Sequence, residues 1–254
     1  MPTLYLPVAL TPGMWGVDTT YKLTLQPGLL DKLCAVDLHD YCPAAPKATP
    51  IDFFGRYVPL PGNEPGWDID GTERAEIAAR KRLLLLFQHV RGGSWTASAA
   101  QGAADAVFGT NYAKAHGYAP VPGYPPPAVI KDMESVGNPG PDAVACMQQY
   151  IIAARAAGFQ PPGYEGFDSG LTTAQWAAMG VPVMSDYGAR TPPPGRGFAI
   201  KQHPQVKIFG IEFDVDEVLP DLTGDLIYGM GAVDVEIADD PGDPHVDPSG
   251  AAAP

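Results

Sequence analysis

Pro127-Ala128-Val129-Ile130-Lys131-Asp132-Met133-Glu134-Ser135 is a short apolar run that ends in two acids one residue apart. Residues i and i+2 of a strand point to the same face, so Asp132 and Glu134 are expected to share a face at the end of a strand. Two carboxylates that close do not ionise independently, and one pKa should rise. A raised carboxyl pKa suits a general acid near neutral pH. Glycosidic bond cleavage is the commonest chemistry built on such pairs.

The pattern is not rare by itself. With 29 acids in 254 residues, acid-x-acid should occur roughly three times by chance. It occurs as Asp68/Asp70, Asp132/Glu134, Glu212/Asp214, Asp214/Asp216 and Asp234/Glu236. Asp68/Asp70 and Asp234/Glu236 lie among Gly and Pro or near the tail and read as solvated. Asp132/Glu134 and Asp214/Asp216 stand out because apolar, strand-like residues flank or precede them.

Outward from this stretch, strand and helix patterns alternate. Strands are expected at Ala35–Asp40, Phe53–Val58, Leu83–Val90, Ala128–Met133, Gly163–Gly166, Val181–Tyr187, Phe198–His203 and within 206–215. Helices are expected at Thr72–Arg82, Thr96–His116, Asp142–Ala157 and Thr172–Met179, with Gly158 and Gly180 stopping the last two. Such alternation predicts an α/β fold with right-handed crossovers, and this many strands favours a (β/α)8-type TIM barrel, irregular in its last units. Residues 1–30 are rich in Pro, Gly and Thr and read as an N-terminal β-like extension or arm. The barrel is expected over 31–237, and 238–254 as an acidic, Pro/Ala-rich flexible tail.

Composition narrows the function classes. A net charge of −13 disfavours nucleic acid and anionic membranes as partners. The longest apolar run, Leu83–Phe87, is too short for a membrane span. Cys34, Cys42 and Cys146 have no metal spacing and read as inert thiols. Cys34 and Cys42 flank an expected strand, too far apart for a disulfide. No basic-plus-apolar signal region is visible after Met1, so an extracellular or virion-associated location would need phage delivery or lysis; otherwise the location is cytoplasmic.

In a barrel of this kind the chemistry sits at the C-terminal ends of the strands. Asp37, Asp132, Glu134, Asp186 and Asp214 all fall at such ends, and their convergence predicts a polyacidic site. Tyr57, Tyr164, Tyr187 and Trp95 are placed to stack on sugar rings or to pack the rim. His39, His89 and His203 lie near strand ends too, but no close His pair suggests a metal, and no cofactor is expected.

The order of these motifs resembles the family-25 glycoside hydrolases (lysozyme-type muramidases). It is more similar still to the related glycoside-hydrolase-like domains of unknown function found in actinobacteria and their phages. The motifs are Val36-Asp37 in the first strand, Gly55-Arg56-Tyr57 in the second, and Asp132-Met133-Glu134 ending the fourth. Gln202-His203 and Gly210-Ile211-Glu212-Phe213-Asp214-Val215-Asp216 follow near the end. The resemblance spans roughly 34–220. It implies Glu134 as general acid and Asp132 as the group that orients substrate and keeps the Glu134 pKa high. It also implies Asp37, Asp214, Tyr57, Tyr164, Asp186 and Gln202 as substrate-binding residues, with a peptidoglycan or related N-acetylated glycan as substrate. The sequence departs from the family at His203, where an aromatic residue is usual, and after Asp37, where a small hydroxyl residue is usual. The alternative expectation is a non-catalytic or weakly active glycan-binding or structural barrel, such as a phage tail or cell-surface assembly component, with a phage structural protein or self-assembly through the N-terminal arm as the partner expected.

Overall fold

The computed structural model describes residues 3–234 except 63–65, 90 and 189; the predicted tail 238–254 lies outside the described residues. Its centre is a closed barrel of eight strands: β2 (Trp15–Asp18), β3 (Phe53–Val58), β4 (Leu83–Gln88), β5 (Val129–Asp132), β6 (Gly163–Glu165), β7 (Val183–Ser185), β8 (Ile200–Ile208) and β9 (Ile211–Val218). Neighbours from β2 through β8 pair in parallel. β9 runs antiparallel to both β8 and β2 and closes the ring.

The barrel expected from sequence is therefore present, but it is mixed rather than a (β/α)8 arrangement. Helices α1 (Leu29–Cys34), α2 (Gly71–Ala79), α3 (Ala99–Ala115), α4 (Pro141–Ala156) and α5 (Thr173–Met179) follow β2 to β6 in turn. No helix separates β8 from β9, which turn through Phe209 and Gly210, both at positive φ. A two-residue turn of this kind forces an antiparallel hairpin and leaves no room for a crossover.

Two expectations about the N-terminal third are corrected. Ala35–Asp40 is not a strand. Leu29, Leu30 and Leu33 bury one side of α1, and Leu38–Asp40 forms a single 3-10 turn. A short apolar run carries too little periodicity to separate these outcomes. Residues 1–30 are not simply an arm, because Trp15–Asp18 is the barrel strand between β3 and β9.

The other N-terminal strand, β1 (Thr3–Leu10), pairs along its length with β10 (Ile227–Asp234). This ribbon joins β4 at Met230–Leu84, and Tyr228 C=O accepts from Ala128 N–H at 2.8 Å. Its Leu10 and Ile227 pack with Phe53, Leu85, Ala128 and Ile200 in the barrel interior. These residues lie where the parallel strands begin, so the ribbon seals that mouth and leaves the opposite one open.

The period-2 rule sorts each strand. Inward positions run from apolar at the sealed end (Phe53, Leu85, Ile130, Met184, Val218) to polar at the open end (Asp18, Tyr57, Asp132, Gln202, Asp216). Outward positions pack beneath the helices. Gly55 marks a tight inward point. A Cβ there would lie 2.5 Å from Asp18 Cβ and 2.7 Å from the Phe87 ring, closer than packed atoms approach.

Arg56 and Lys131 point outward and are fully buried. Arg56 Nε donates to Glu73 Oε1 of α2 at 3.0 Å, and its guanidinium also donates to the carbonyls of Thr19 and Trp67. Lys131 pairs with Asp105 of α3 at 2.9 Å. Helix starts are capped by side chains: Asp70 for α2, Ser98 for α3, and Thr172 with Gln175 in a capping box for α5. All three cysteines are free thiols. No helix among the described residues is long and apolar enough to cross a membrane.

Candidate functional site

A cleft of about 330 Å³ opens at the C-terminal ends of the parallel strands. Asp132 and Glu134 line it from the end of β5, Tyr57 from β3, His89 from just beyond β4, and Tyr164 from β6. Asp186 follows β7, Gln202 comes from β8 and Asp214 from β9; Thr20, Phe167 and Tyr187 complete the rim.

Glu134 is held by its backbone and its carboxylate together. Its N–H donates to Asp132 Oδ1 at 2.8 Å, and its carbonyl accepts from Trp95 Nε1 at 2.7 Å. Its Oε1 accepts from Phe167 N–H at 3.1 Å. Ser135 then turns at φ +57, with its own N–H and C=O bonded to Phe167 and Trp95. A non-glycine residue at positive φ persists only where its surroundings over-determine it. Here three segments converge on the turn, so the acid's position is set before any ligand arrives.

The electrostatics favour bound protons. Burial, then the neighbouring Glu134, pushes the Asp132 pKa well up. Burial also raises Glu134, with Asp186 adding to the rise and the Phe167 N–H opposing it. Burial leads both rises, and because the two carboxyls stand side by side the charge of either one raises the other. Asp214 is pushed up to about 7 by burial and the negative neighbours Asp18 and Glu134.

Below the cleft a polar chain fills the barrel's open end. Tyr164 Oη donates to Gln202 Oε1 at 2.9 Å, and Gln202 Nε2 donates to Asp18 Oδ2 at 3.3 Å. Tyr57 Oη donates to Asp18 Oδ1 at 2.8 Å. Asp216 lies against Asp18 with both oxygens buried and no N–H or hydroxyl donor on either among the described residues. Two carboxyls share a hydrogen bond only when one is protonated. Burial and the Asp18 charge push the Asp216 pKa well above the ordinary carboxylate range, which favours the protonated form there. Asp18 is raised to about 6 by burial, with Tyr57, Asp216 and Gln202 all opposing that rise.

Of the residues singled out in the sequence, Glu134, Asp132, Asp214, Tyr57, Tyr164, Asp186 and Gln202 come together in the cleft. Asp37 does not. It caps the 3-10 turn after α1, accepting from His39, Ala48 and Thr49 N–H at 3.1, 2.8 and 3.0 Å. The Ala48 N–H leads the backbone donors that lower its pKa. Its side chain organises a loop, which is what a short Asx-type residue does at such a turn.

Sequence reasoning passed over Asp18 and Thr20, and marked Asp216 only as the neighbour of Asp214. The signal was present as Gly16-Val17-Asp18, an apolar-Asp strand end followed by Thr19-Thr20. His203 faces outward, stacked on Trp15 with ring centroids 5.0 Å apart, with Nε2 3.0 Å from Glu217 Oε2. His39 binds the Ala45 carbonyl. Only His89 of these three lines the cleft, with Nε2 2.6 Å from the buried Asp68 and its ring stacked on Tyr57. No grouping of three or more His, Cys, Asp or Glu suited to a metal exists among the described residues.

No family model and no curated protein matches the chain. Solved structures do match in fold. An uncharacterized B. stearothermophilus protein aligns with a TM-score of 0.58 at 15% identity, over 84% of this chain and 99% of that one. The Mycobacterium tuberculosis Tat-secreted protein Rv2525c, in complex with HEPES, aligns at 0.53 and 15% identity, over 84% and 98%. The modular autolysin LytC from Streptococcus pneumoniae, in complex with a synthetic peptidoglycan ligand, aligns at 0.51 and 12% identity over 80% of this chain and 46% of its own. At these identities the likeness is one of fold.

Proposed function

We propose that the chain hydrolyses a glycosidic bond in peptidoglycan or a related N-acetylated glycan, with Glu134 as general acid. The observation that carries this reading is the fixed position of Glu134 in the cleft beside Asp132, in surroundings that raise both pKa values. Glu134 gives its proton to the glycosidic oxygen as the bond to the anomeric carbon breaks, and a water molecule ultimately supplies the new hydroxyl. Asp132 orients the substrate beside the breaking bond. Asp214 lines the cleft, where a carboxyl accepts sugar hydroxyls or holds water, and Asp18 below it fixes Tyr57 and Gln202. Tyr57, Tyr164, Phe167 and Tyr187 offer ring faces to a sugar, the usual apolar partners in such a groove.

The fold shared with the LytC autolysin is consistent with a cell-wall glycan as ligand. The second reading, a glycan-binding or structural barrel without catalysis, keeps the same cleft and differs only in turnover.

Reducing-end release from purified peptidoglycan, compared between the parent and Glu134→Gln, separates the two. Loss of at least about 10²-fold in the near-isosteric variant is expected for a general acid. A folded parent that releases nothing from any wall preparation would leave the binding reading.

A further inference from the structure

A second hollow of about 480 Å³ adjoins the cleft. Glu165, at the end of β6, and Arg190 both line it; Asp168, Ser169 and Gln175 add polar atoms. The two hollows share a wall. Arg190 donates from Nε and Nη2 to Asp186 at 2.8 and 2.6 Å, so Asp186 lines the cleft while its partner lines the hollow.

Glu165 is the unusual member. It is 6% exposed, yet its Oε2 is buried with no hydrogen-bond partner among the described residues. A buried carboxyl left without a donor costs about 1–3 kcal/mol or more. Arg190 acts on it by charge alone, opposing a pKa rise to about 7 that comes chiefly from burial. Other buried acids on the outer face of this barrel are paired, as Glu73 is with Arg56 and Asp105 with Lys131. Glu165 is therefore an acceptor awaiting a donor, in the wall of a space that a small molecule can enter. Arg190 has spent two nitrogens on Asp186, and its Nη1 has no partner among the described residues.

We propose that this hollow is a second binding subsite, for an amino-acid-like group that places an amine on Glu165 and a carboxylate or carbonyl on Arg190. Beside a glycan in the cleft, that group would belong to a short peptide carried on the sugar chain with an amine left free, an extension that rests on the hydrolase reading. The pairing is chemically matched: an ammonium satisfies the orphaned carboxylate, and the guanidinium favours a planar acceptor.

The test is isothermal titration of the intact chain with alanylalanine, N-acetyl-alanylalanine and alanylalanine amide. The parent is expected to bind the free dipeptide, and each cap should weaken it about tenfold or more. Glu165→Gln should weaken the free dipeptide by a similar factor while leaving the N-acetylated form unchanged. No binding of alanylalanine by the parent, or equal binding of all three, overturns the subsite. The capped ligands test it on the parent alone, whatever the variant's folding. Because the titration needs no turnover, inert peptidoglycan with intact dipeptide binding removes only the hydrolase reading. Active hydrolysis without dipeptide binding removes only the subsite.

Discussion

The N–H of Glu134 donates to Asp132 Oδ1 at 2.8 Å, so the two acids of the Asp-x-Glu motif are tied through backbone as well as through charge. They titrate as a pair, and the raised values belong to the pair rather than to one member.

That coupling predicts the pH profile. The proposed hydrolysis needs a proton on Glu134, so its rate declines as pH rises through the pair's upper ionisation. Asp132→Asn removes the second ionisable member, and with it the upper step. The alkaline limb of kcat/KM should move to lower pH, with kcat reduced about 10–10²-fold. A limb that stays in place, measured on purified peptidoglycan, would show that Asp132 does not govern the proton.

Gly166 predicts a steric test of the same acid. A Cβ at this position would overlap the Glu134 side chain at Cγ and Oε1. Gly166→Ala should displace the carboxylate from the Phe167 N–H while leaving the barrel folded. Misplacement by about 1 Å can cost roughly 10²-fold in rate. The expected outcome is a fall in kcat of that order with a melting temperature close to the parent's. Unchanged kcat would mean that Glu134 does not need its present seat.

Much of this site was legible because β3 to β9 carry strong strand signals and their inward positions follow from period 2. Asp132, Glu134, Tyr57, Tyr164, Asp186, Gln202 and Asp214 meet for that reason. Asp37 failed because one Asp after a short apolar run is equally a strand end or a turn cap, and only long-range pairing separates them. Val17-Asp18 held the position instead, inside a Pro- and Gly-rich stretch whose strand pairs with β9, nearly two hundred residues away. The β8–β9 hairpin was hidden for a related reason. Direction in the sheet is set by the Phe209–Gly210 turn, not by strand composition. Glu165 sits one residue from Tyr164 and looked like part of the same strand end, and nothing local marks its side chain as unpartnered.

The Arg56–Glu73 pair predicts stability. Both side chains are fully buried, and Glu73 also accepts from Leu23 N–H at 2.7 Å. Removing one partner of such a pair leaves an uncompensated charge, at a cost of about 3–5 kcal/mol. Glu73→Ala should lower the urea midpoint accordingly with an unchanged slope. Glu73→Gln, which can still accept from Leu23 and Arg56, should lose less. Equal losses for both variants would argue that shape, not charge, is what the site requires.

Asp216 predicts how stability depends on pH. Its folded pKa is raised well above the unfolded value by burial and by Asp18. A carboxyl raised on folding favours the native state fully below its unfolded pKa of about 4, and that contribution is lost as pH rises through the folded value. Asp18 and Asp214, raised to about 6 and about 7, act in the same direction. The parent should therefore lose stability from about pH 4 toward pH 7. Asp216→Asn replaces the carboxyl with an amide that cannot ionise yet can still donate to Asp18. This variant should match the parent near pH 4 and gain on it by up to about 1.4 kcal/mol per pH unit above that. For a chain of this size each kcal/mol corresponds to about 2–4 °C. Melting curves at pH 4, 6 and 8 decide the matter. A difference between the proteins that stays constant across this range would mean that Asp216 is not held protonated against Asp18.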